Sequence, residues 1–329
     1  MIRYAGHDSM HRCIPKDDRE HLQACRIAVR GAARHSVKKA GDKRLDQLTN
    51  IGFIKQLLSS FGFSFSKQMG QNFLINPSVC PKMAELSGCD GIGVLEIGPG
   101  IGVLTVQLAQ RAKKVVALEL DRRLQPILNV TLKETDNVSV IFGDVLKTDL
   151  AALLQEQFGD LPVVVCANLP YYITSPVLMA LLEQQLSIRR ITVMVQKEAA
   201  QRICAQPGTR QCGAITVTVH CYSTPKLQFY VERGSFLPAP NVDSAVITLD
   251  CKHPPENAGC DQALFGRIVR AAFAQRRKQL ANALSAGLHI DKQQAAALIK
   301  QCGLPPAVRA EELTLADFKQ LCHCMEETD

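Results

Sequence analysis

No apolar run in this chain approaches the roughly 18 to 20 residues that a membrane span requires, so an integral membrane protein is not expected. The first residues lack the continuous apolar stretch of a secretory signal, and none is expected. No Cys-x-x-Cys pair occurs among the 13 cysteines. Their odd number and scattered spacing argue against a disulfide framework and for a reduced, cytoplasmic protein. The tightest grouping, Cys322-His323-Cys324, lacks the two further nearby ligands that a structural zinc site needs, so no metal is expected. Cys166, Cys221 and Cys251 fall in apparent strands, where a free thiol acts as a small hydrophobe. The sequence has no internal repeat.

The 329 residues suit two domains, and 47% hydrophobic with 21% charged residues suits a soluble chain with a sizeable core. A net charge of +7 leans mildly toward a polyanionic partner, and where the charge lies matters more than its sum. Residues 1–48 are polar, basic and rich in His and Arg. They read as a possible disordered arm for nucleic acid or as an extension without a role. Asp17, Asp18 and Glu20 argue against a transit peptide. A helical pattern starts at Thr49 with Ile51, Ile54, Leu57 and Leu58.

From about 92 to 250, short β-branched runs (GVLEIG, VVALEL, VSVIFG, VVVCA, ITVMV) alternate with helical segments, the pattern of a parallel, doubly wound α/β sheet. The runs AITVTVHCY and SAVITLD follow closely and are expected to form a terminal hairpin. HPPENAGCD, 253–261, reads as a linker to an all-α C-terminal domain. The expected division is 1–48, 49–252 and 253–329.

Glu96, Gly98, Gly100 and Gly102 stand at a strand–helix junction, where glycine permits close backbone approach. The dinucleotide fingerprint would need a third glycine where Val103 stands. The E-x-G-x-G-x-G form resembles instead the first motif of S-adenosylmethionine-dependent methyltransferases. Glu119 ends the next strand, where a carboxylate can accept both ribose hydroxyls of an adenosine. Asp144 ends the third, placed to take an adenine amino group. Either alone could be a solvated strand-end carboxylate; acids at successive strand ends are less easily accidental.

The fourth strand ends in Asn168-Leu169-Pro170-Tyr171, where a hydrolase would need Ser, His or a carboxylate. NLPY resembles the (N/D)PPY motif of enzymes that methylate exocyclic amines of bases. An adenine N6 is a poor nucleophile because its lone pair is delocalised into the ring. The Asn168 amide oxygen and the Leu169 carbonyl, fixed by Pro170, can accept both N–H bonds and localise that lone pair. Catalysis is then mostly positioning. Tyr171 offers a stacking face and Phe236, braced by Pro238 and Pro240, the opposing ring; Tyr172 is expected to pack in the core.

QNFL (71–74), EIGPGIG (96–102), ELD (119–121), GD (143–144), NLPYYITSP (168–176), QKE (196–198), FLPAPNVDSAV (236–246) and FAQRRKQLANAL (273–284) run in order. In these the chain resembles the bacterial small-subunit rRNA adenine dimethyltransferases, the kasugamycin-sensitivity family. The resemblance covers nearly everything from residue 49 onward. It implies a class I, Rossmann-like methyltransferase domain with a small helical domain. The implied reaction is dimethylation of N6 on two adjacent adenosines in the terminal hairpin of 16S rRNA, within an assembling 30S subunit. It implies S-adenosylmethionine contacts from Asn72, Leu74, Gly98, Glu119, Asp144 and Asn168, with Asn72 and Leu74 closing over the donor. A monomer without a membrane partner is expected.

On one ideal helix, Arg267, Arg270, Arg277 and Lys278 share an arc of roughly 100°, opposite Leu264, Ile268, Ala272, Leu280 and Leu284, a stripe suited to RNA phosphates or simply to solvent. Arg276 fits neither reading, pointing toward the apolar side on ideal geometry. Two rivals stay open. One is the sister group that dimethylates 23S rRNA, against which the FLPAPNVDSAV and FAQRRKQLANAL segments weigh. The other is a non-catalytic RNA-binding assembly factor on the same scaffold, against which Gly98, Glu119, Asp144 and NLPY weigh.

Overall fold

Strands buried on both faces need near-continuous runs of Val, Ile and Leu, and five such runs form the parallel body of the sheet in the computed structural model. The structure describes residues 45–66, 69–184, 186–257, 259–275 and 277–327. The basic arm up to residue 44 and Arg276 lie outside them. Residues 45–49 are helical with Leu45 and Leu48 buried, so the packed chain reaches back past residue 49.

The main sheet comprises β2 (Gly93–Ile97), β3 (Lys114–Glu119), β4 (Val138–Phe142), β5 (Val163–Asn168), β6 (Ile188–Gln196), β7 (Ser223–Val231) and β9 (Ser244–Cys251), in the order β4-β3-β2-β5-β6-β9-β7. Strands β2 to β6 run parallel, and β9 pairs antiparallel with both β6 and β7. Because β2 neighbours both β3 and β5, the strand order reverses there, and an open α/β sheet leaves its crevice at the carboxyl ends beside that point. A small antiparallel ribbon of β1 (Phe73–Leu74) and β8 (Phe236–Leu237) forms a separate sheet.

Strand periodicity divides the core. Along β3, Val115 and Ala117 join one buried cluster and Val116 and Leu118 the other. The first cluster includes residues of α1 (Ile51–Ser60), α2 (Val79–Ser87), α3 (Val103–Ala109) and α4 (Gln125–Thr131). Asn50 starts α1 by accepting the Phe53 N–H (3.0 Å), and Ile54, Leu57 and Leu58 form its buried face. The second cluster takes in α5 (Leu150–Phe158), α6 (Thr174–Glu183), α7 (Lys197–Ile203) and α8 (Ala214–Tyr222). It continues into α9 (Gln262–Ala274), α10 (Leu280–Leu288), α11 (Lys292–Gln301) and α12 (Leu315–Glu326).

Two expectations are corrected. AITVTVHCY is helix α8, and the hairpin strand is the following STPKLQFYV, β7, paired with β9. Thr216, Val217, Thr218, Val219, Cys221 and Tyr222 are all buried, so this helix is apolar nearly all round and hides the helical period. Burial between neighbouring helices outweighs the strand preference of its β-branched residues, and Cys221 is accordingly a helix residue. The basic stripe likewise does not lie on one helix. Helix α9 stops at Ala274, Gln275 leaves the helical region (φ −129°, ψ 64°), and Arg277 and Lys278 sit in the turn before α10. Leu280 donates its N–H to the Val308 carbonyl (2.8 Å), which anchors the start of α10 elsewhere.

The α9–α10 crossing is tight. A methyl on Gly287 would lie 2.5 Å from the Ala271 Cβ and 2.8 Å from its Cα. Gly287→Ala is therefore expected to cost about 1–3 kcal/mol, read as a lower midpoint in calorimetric unfolding. An unchanged midpoint would show that these helices separate freely.

Candidate active site

A cavity of about 260 Å³ opens at the carboxyl ends of β2 to β5, against the β1–β8 ribbon. Its floor begins where β2 ends. Gly98 has φ +70°, and a Cβ built there meets nothing within 4 Å, so the main chain faces open space. Gly100, at φ +58°, would bring a Cβ to 3.2 Å from the Phe73 ring. Both positions require glycine, one for the space before it and both for the left-handed backbone.

Two carboxylates lie beside this floor. Glu119, 6% exposed, accepts the Asp121 N–H on Oε1 (2.8 Å) and the Gly100 N–H on Oε2 (3.2 Å). Each oxygen keeps a lone pair for a further donor. Burial pushes the Glu119 carboxyl up to about 7 despite these two N–H bonds. Glu96 is more deeply buried and is pushed up to about 8, by burial first and by the Glu119 charge in addition. Its Oε2 has no hydrogen-bond partner among the described residues. At the end of β4, Asp144 accepts the Leu146 N–H (3.0 Å), and Lys147 lies 3.8 Å away. Leu120 and Leu146, both exposed, line the cavity next to these acids and offer apolar flanks for a flat ring.

Across the cavity, β5 delivers Asn168 opposite Met194 of β6, and the Leu169 N–H donates to the Met194 carbonyl (3.2 Å). Pro170 turns the chain into a short 3-10 helix, Tyr171–Ile173. The Asn168 Nδ2 donates to the Asn72 carbonyl (3.3 Å), and no donor reaches its Oδ1 among the described residues. The Tyr171 hydroxyl lies 2.7 Å from Ser244 Oγ at the start of β9, which fixes the ring's tilt. Tyr172 is not a core residue. It is 55% exposed and lines the cavity, its ring 3.4 Å from where a Cβ on Gly70 would be. The 3-10 turn sends consecutive side chains in different directions, so one tyrosine of the pair must leave the core.

The residues expected from sequence to act together are neighbours in space. Asn72, Leu74, Gly98, Glu119, Asp144, Asn168, Leu169, Pro170, Tyr171 and Phe236 all line this one cavity. Phe236, 3% exposed, is held by its pairing with Leu74 in the ribbon. The basic residues lie apart. Arg267, Arg277 and Lys278 are exposed and unpaired with acids among the described residues, whereas Arg270 is engaged by Glu183 at 3.3 Å. Sequence reasoning gave no role to Gln71 or Asp121, although both stand inside motifs (QNFL, ELD), because their contact spans 50 positions. Among the described residues, no group of three or more His, Cys, Asp or Glu is arranged to hold a metal ion.

A nucleoside with a charged, flexible tail fits this donor set. Glu119 and Asp144 can accept hydroxyl and amine protons, Leu120 and Leu146 flank a ring, Gly98 leaves room along the floor, and Glu96 has an unmatched oxygen.

The family model described as ribosomal RNA adenine dimethylase matches residues 62–327. Ribosomal RNA small subunit methyltransferase A of Geobacillus thermodenitrificans is 46% identical over 279 residues, covering 83% of this chain and 95% of that protein. The Bacillus licheniformis protein of the same name is 44% identical over 278 residues, with the same coverage of 83% and 95%. Among solved structures, a dimethyladenosine transferase from Plasmodium falciparum superposes with a TM-score of 0.65 at 25% identity, over 77% of this chain and 97% of that one. The 23S rRNA methyltransferase ErmE superposes at 0.58 and 24% identity, over 78% and 100%, a likeness of fold. With a cavity of this form at the strand ends and these matches along its length, the chain belongs to the ribosomal RNA adenine dimethylase family.

Proposed function

We propose that the protein uses S-adenosylmethionine to dimethylate N6 of two adjacent adenosines in the 3′-terminal hairpin of 16S rRNA, acting on the assembling 30S subunit. The observation that carries this reading is the pairing of an Asn168 amide, oxygen free, with the Gly98–Glu119–Asp144 cradle in a single cavity. Relatives at 44–46% identity are named for the small subunit, which favours 16S over 23S rRNA as substrate.

S-adenosylmethionine supplies an electrophilic methyl group. Glu119 would receive the ribose hydroxyls, Asp144 would take the adenine amine, and Asn72 and Leu74 would cover the site from the ribbon side. At the target, the Asn168 Oδ1 and the Leu169 carbonyl accept hydrogen bonds from the two N6–H groups and draw the nitrogen toward tetrahedral geometry; the methylated nitrogen then sheds one proton to solvent. The Asn72 carbonyl engages Nδ2 and so keeps the amide oxygen forward. Tyr171 stacks on the purine, worth roughly 1–3 kcal/mol per base, and Phe236 closes the other side. No strong base is required, because the site works by orientation and by fixed acceptors. Arg267, Arg277 and Lys278 contact RNA phosphates outside the cavity.

Asn168→Ala is expected to lower transfer to undermethylated 30S subunits roughly 100- to 1000-fold while leaving the unfolding midpoint nearly unchanged. Near-normal N6,N6-dimethyladenosine in the 16S rRNA by mass spectrometry would remove the assigned role. Tyr171→Ala should lose most activity through the stacking face, whereas Tyr171→Phe, which loses only the Ser244 contact, should keep most of it.

Donor affinity should depend on pH. With the Glu119 carboxyl near 7 and only its ionised form able to accept two hydroxyl protons, calorimetric affinity should rise roughly tenfold from pH 6 to pH 8. Glu119→Gln should flatten that rise and weaken binding throughout. The ligand-free fold should respond in the opposite sense. Both Glu96 and Glu119 sit above their usual 4.5, so their contribution to the fold is full below about 4.5, is lost as pH rises from there through 7 and 8, and is gone above. The unfolding midpoint of the ligand-free protein should fall across that window.

A further inference from the structure

Asp121 stands two residues beyond Glu119, and its side chain is only 3% exposed. Its carboxylate accepts from Arg123 Nε (2.9 Å), Arg123 Nη2 (2.6 Å), the Arg123 N–H (3.1 Å) and Gln71 Nε2 (2.8 Å). Gln71 is used at both ends, because its Oε1 accepts the Ser66 N–H (3.0 Å). Arg123 in turn donates to the Ser64 carbonyl (3.4 Å) and lies 5.0 Å over the Phe63 ring. Phe63 and Phe65 both pack on Phe73, at 6.1 and 5.2 Å between centroids. One buried acid therefore gathers the chain ahead of the ribbon onto the end of β3.

That stretch carries Asn72, whose carbonyl holds the Asn168 amide and whose own Nδ2 donates to the Gly70 carbonyl (3.1 Å). On its other side, the Asp121 N–H is one of the two backbone donors that hold Glu119. The chain of contacts thus runs Glu119, Asp121, Gln71, Asn72, Asn168. It joins the proposed ribose acceptor to the proposed amine acceptor without passing through a ligand.

We propose that Asp121 and Gln71 are positioning residues: their hydrogen bond sets the placement of Asn72 across the cavity, and through it the orientation of the Asn168 amide. This rests on the methyltransferase reading of the cavity. Gln71 lines the cavity, but both ends of its amide are taken up by Asp121 and Ser66. A glutamine is needed because the contact must donate to a carboxylate and accept from a main-chain N–H at once, which neither glutamate nor leucine can do.

The test is a cycle of Gln71→Glu, Asp121→Asn and the double variant. Gln71→Glu sets two carboxylates against each other. The double variant restores one hydrogen bond with donor and acceptor exchanged. Three readouts are taken: donor affinity by calorimetry, kcat and KM on undermethylated 30S subunits, and amide hydrogen exchange over 69–74. Gln71→Glu is expected to lower kcat roughly 10- to 100-fold, to weaken donor binding, and to speed exchange over 69–74. The KM for 30S particles should change little, since Arg267, Arg277 and Lys278 do not line the cavity. The double variant should recover at least half of the loss on a logarithmic scale. Wild-type kcat in Gln71→Glu, or a double variant as poor as the two single losses multiplied, would overturn the proposal. If the unaltered protein neither binds the donor nor transfers methyl groups, the functional reading fails. The positioning claim would then stand or fall on hydrogen exchange alone, with unchanged exchange in Gln71→Glu overturning it.

Discussion

The hydrogen bond from the Asn168 side chain to the Asn72 carbonyl decides which end of the amide faces the cavity. A carbonyl can only accept, so the amide must turn its nitrogen toward Asn72 and its oxygen the other way. Reversed, it would offer N–H bonds to a substrate amine that also has N–H bonds to give, and both would be left unmatched. The two residues are 96 positions apart in the chain. The sheet order, the β1–β8 ribbon and the turn at Pro170 all have to be right for this contact to form. It depends on the global fold, yet it controls one rotamer.

The sheet is a stable base for a site that is itself expensive to hold. Two carboxyl groups are buried at the ends of β2 and β3, and among the described residues neither is matched by a cation at its oxygens. Their raised values record the cost of ionising them there. Apolar clusters on both faces of the sheet offset it, and one of them extends unbroken into the C-terminal helices. Those helices consequently do more than carry basic residues. Their packing through α8 contributes to the same core that supports β5 and Asn168.

Much of this was legible beforehand because the informative residues mark strand ends. Glycine, acid and amide after a β-branched run mark where each strand ends, and Gly98, Glu119, Asp144 and Asn168 fall on one rim. What stayed illegible has distinct causes. AITVTVHCY hid its helix because burial on nearly every side removes the polar positions by which a helix is recognised. The FAQRRKQL stretch looked like one helix because ideal geometry has no means of showing that Leu280 is claimed by Val308. Tyr172 looks apolar in sequence, yet in the 3-10 turn it is Tyr171 that reaches Ser244 while Tyr172 is left exposed. The Gln71–Asp121 bond joins residues of two unrelated elements, and no local pattern encodes such a pairing.

Placing two methyl groups on one nitrogen adds a constraint that the proposed geometry meets unevenly. The first transfer leaves an amine with a single N–H, so on the second round only one of the two carbonyls has a donor. A buried acceptor left unpaired costs about 1–3 kcal/mol unless water replaces the lost partner. Leu169 is almost fully buried, whereas Asn168 is only partly so. Water can thus reach the amide oxygen more easily than the main-chain carbonyl. On the proposed reading, the arrangement of lower free energy in the second round would keep the remaining N–H on Leu169 and hydrate Asn168. The main-chain acceptor, which no side-chain substitution can remove, would then be the constant element of both transfers. The amide would matter most in the first, when both N–H groups must be held at once.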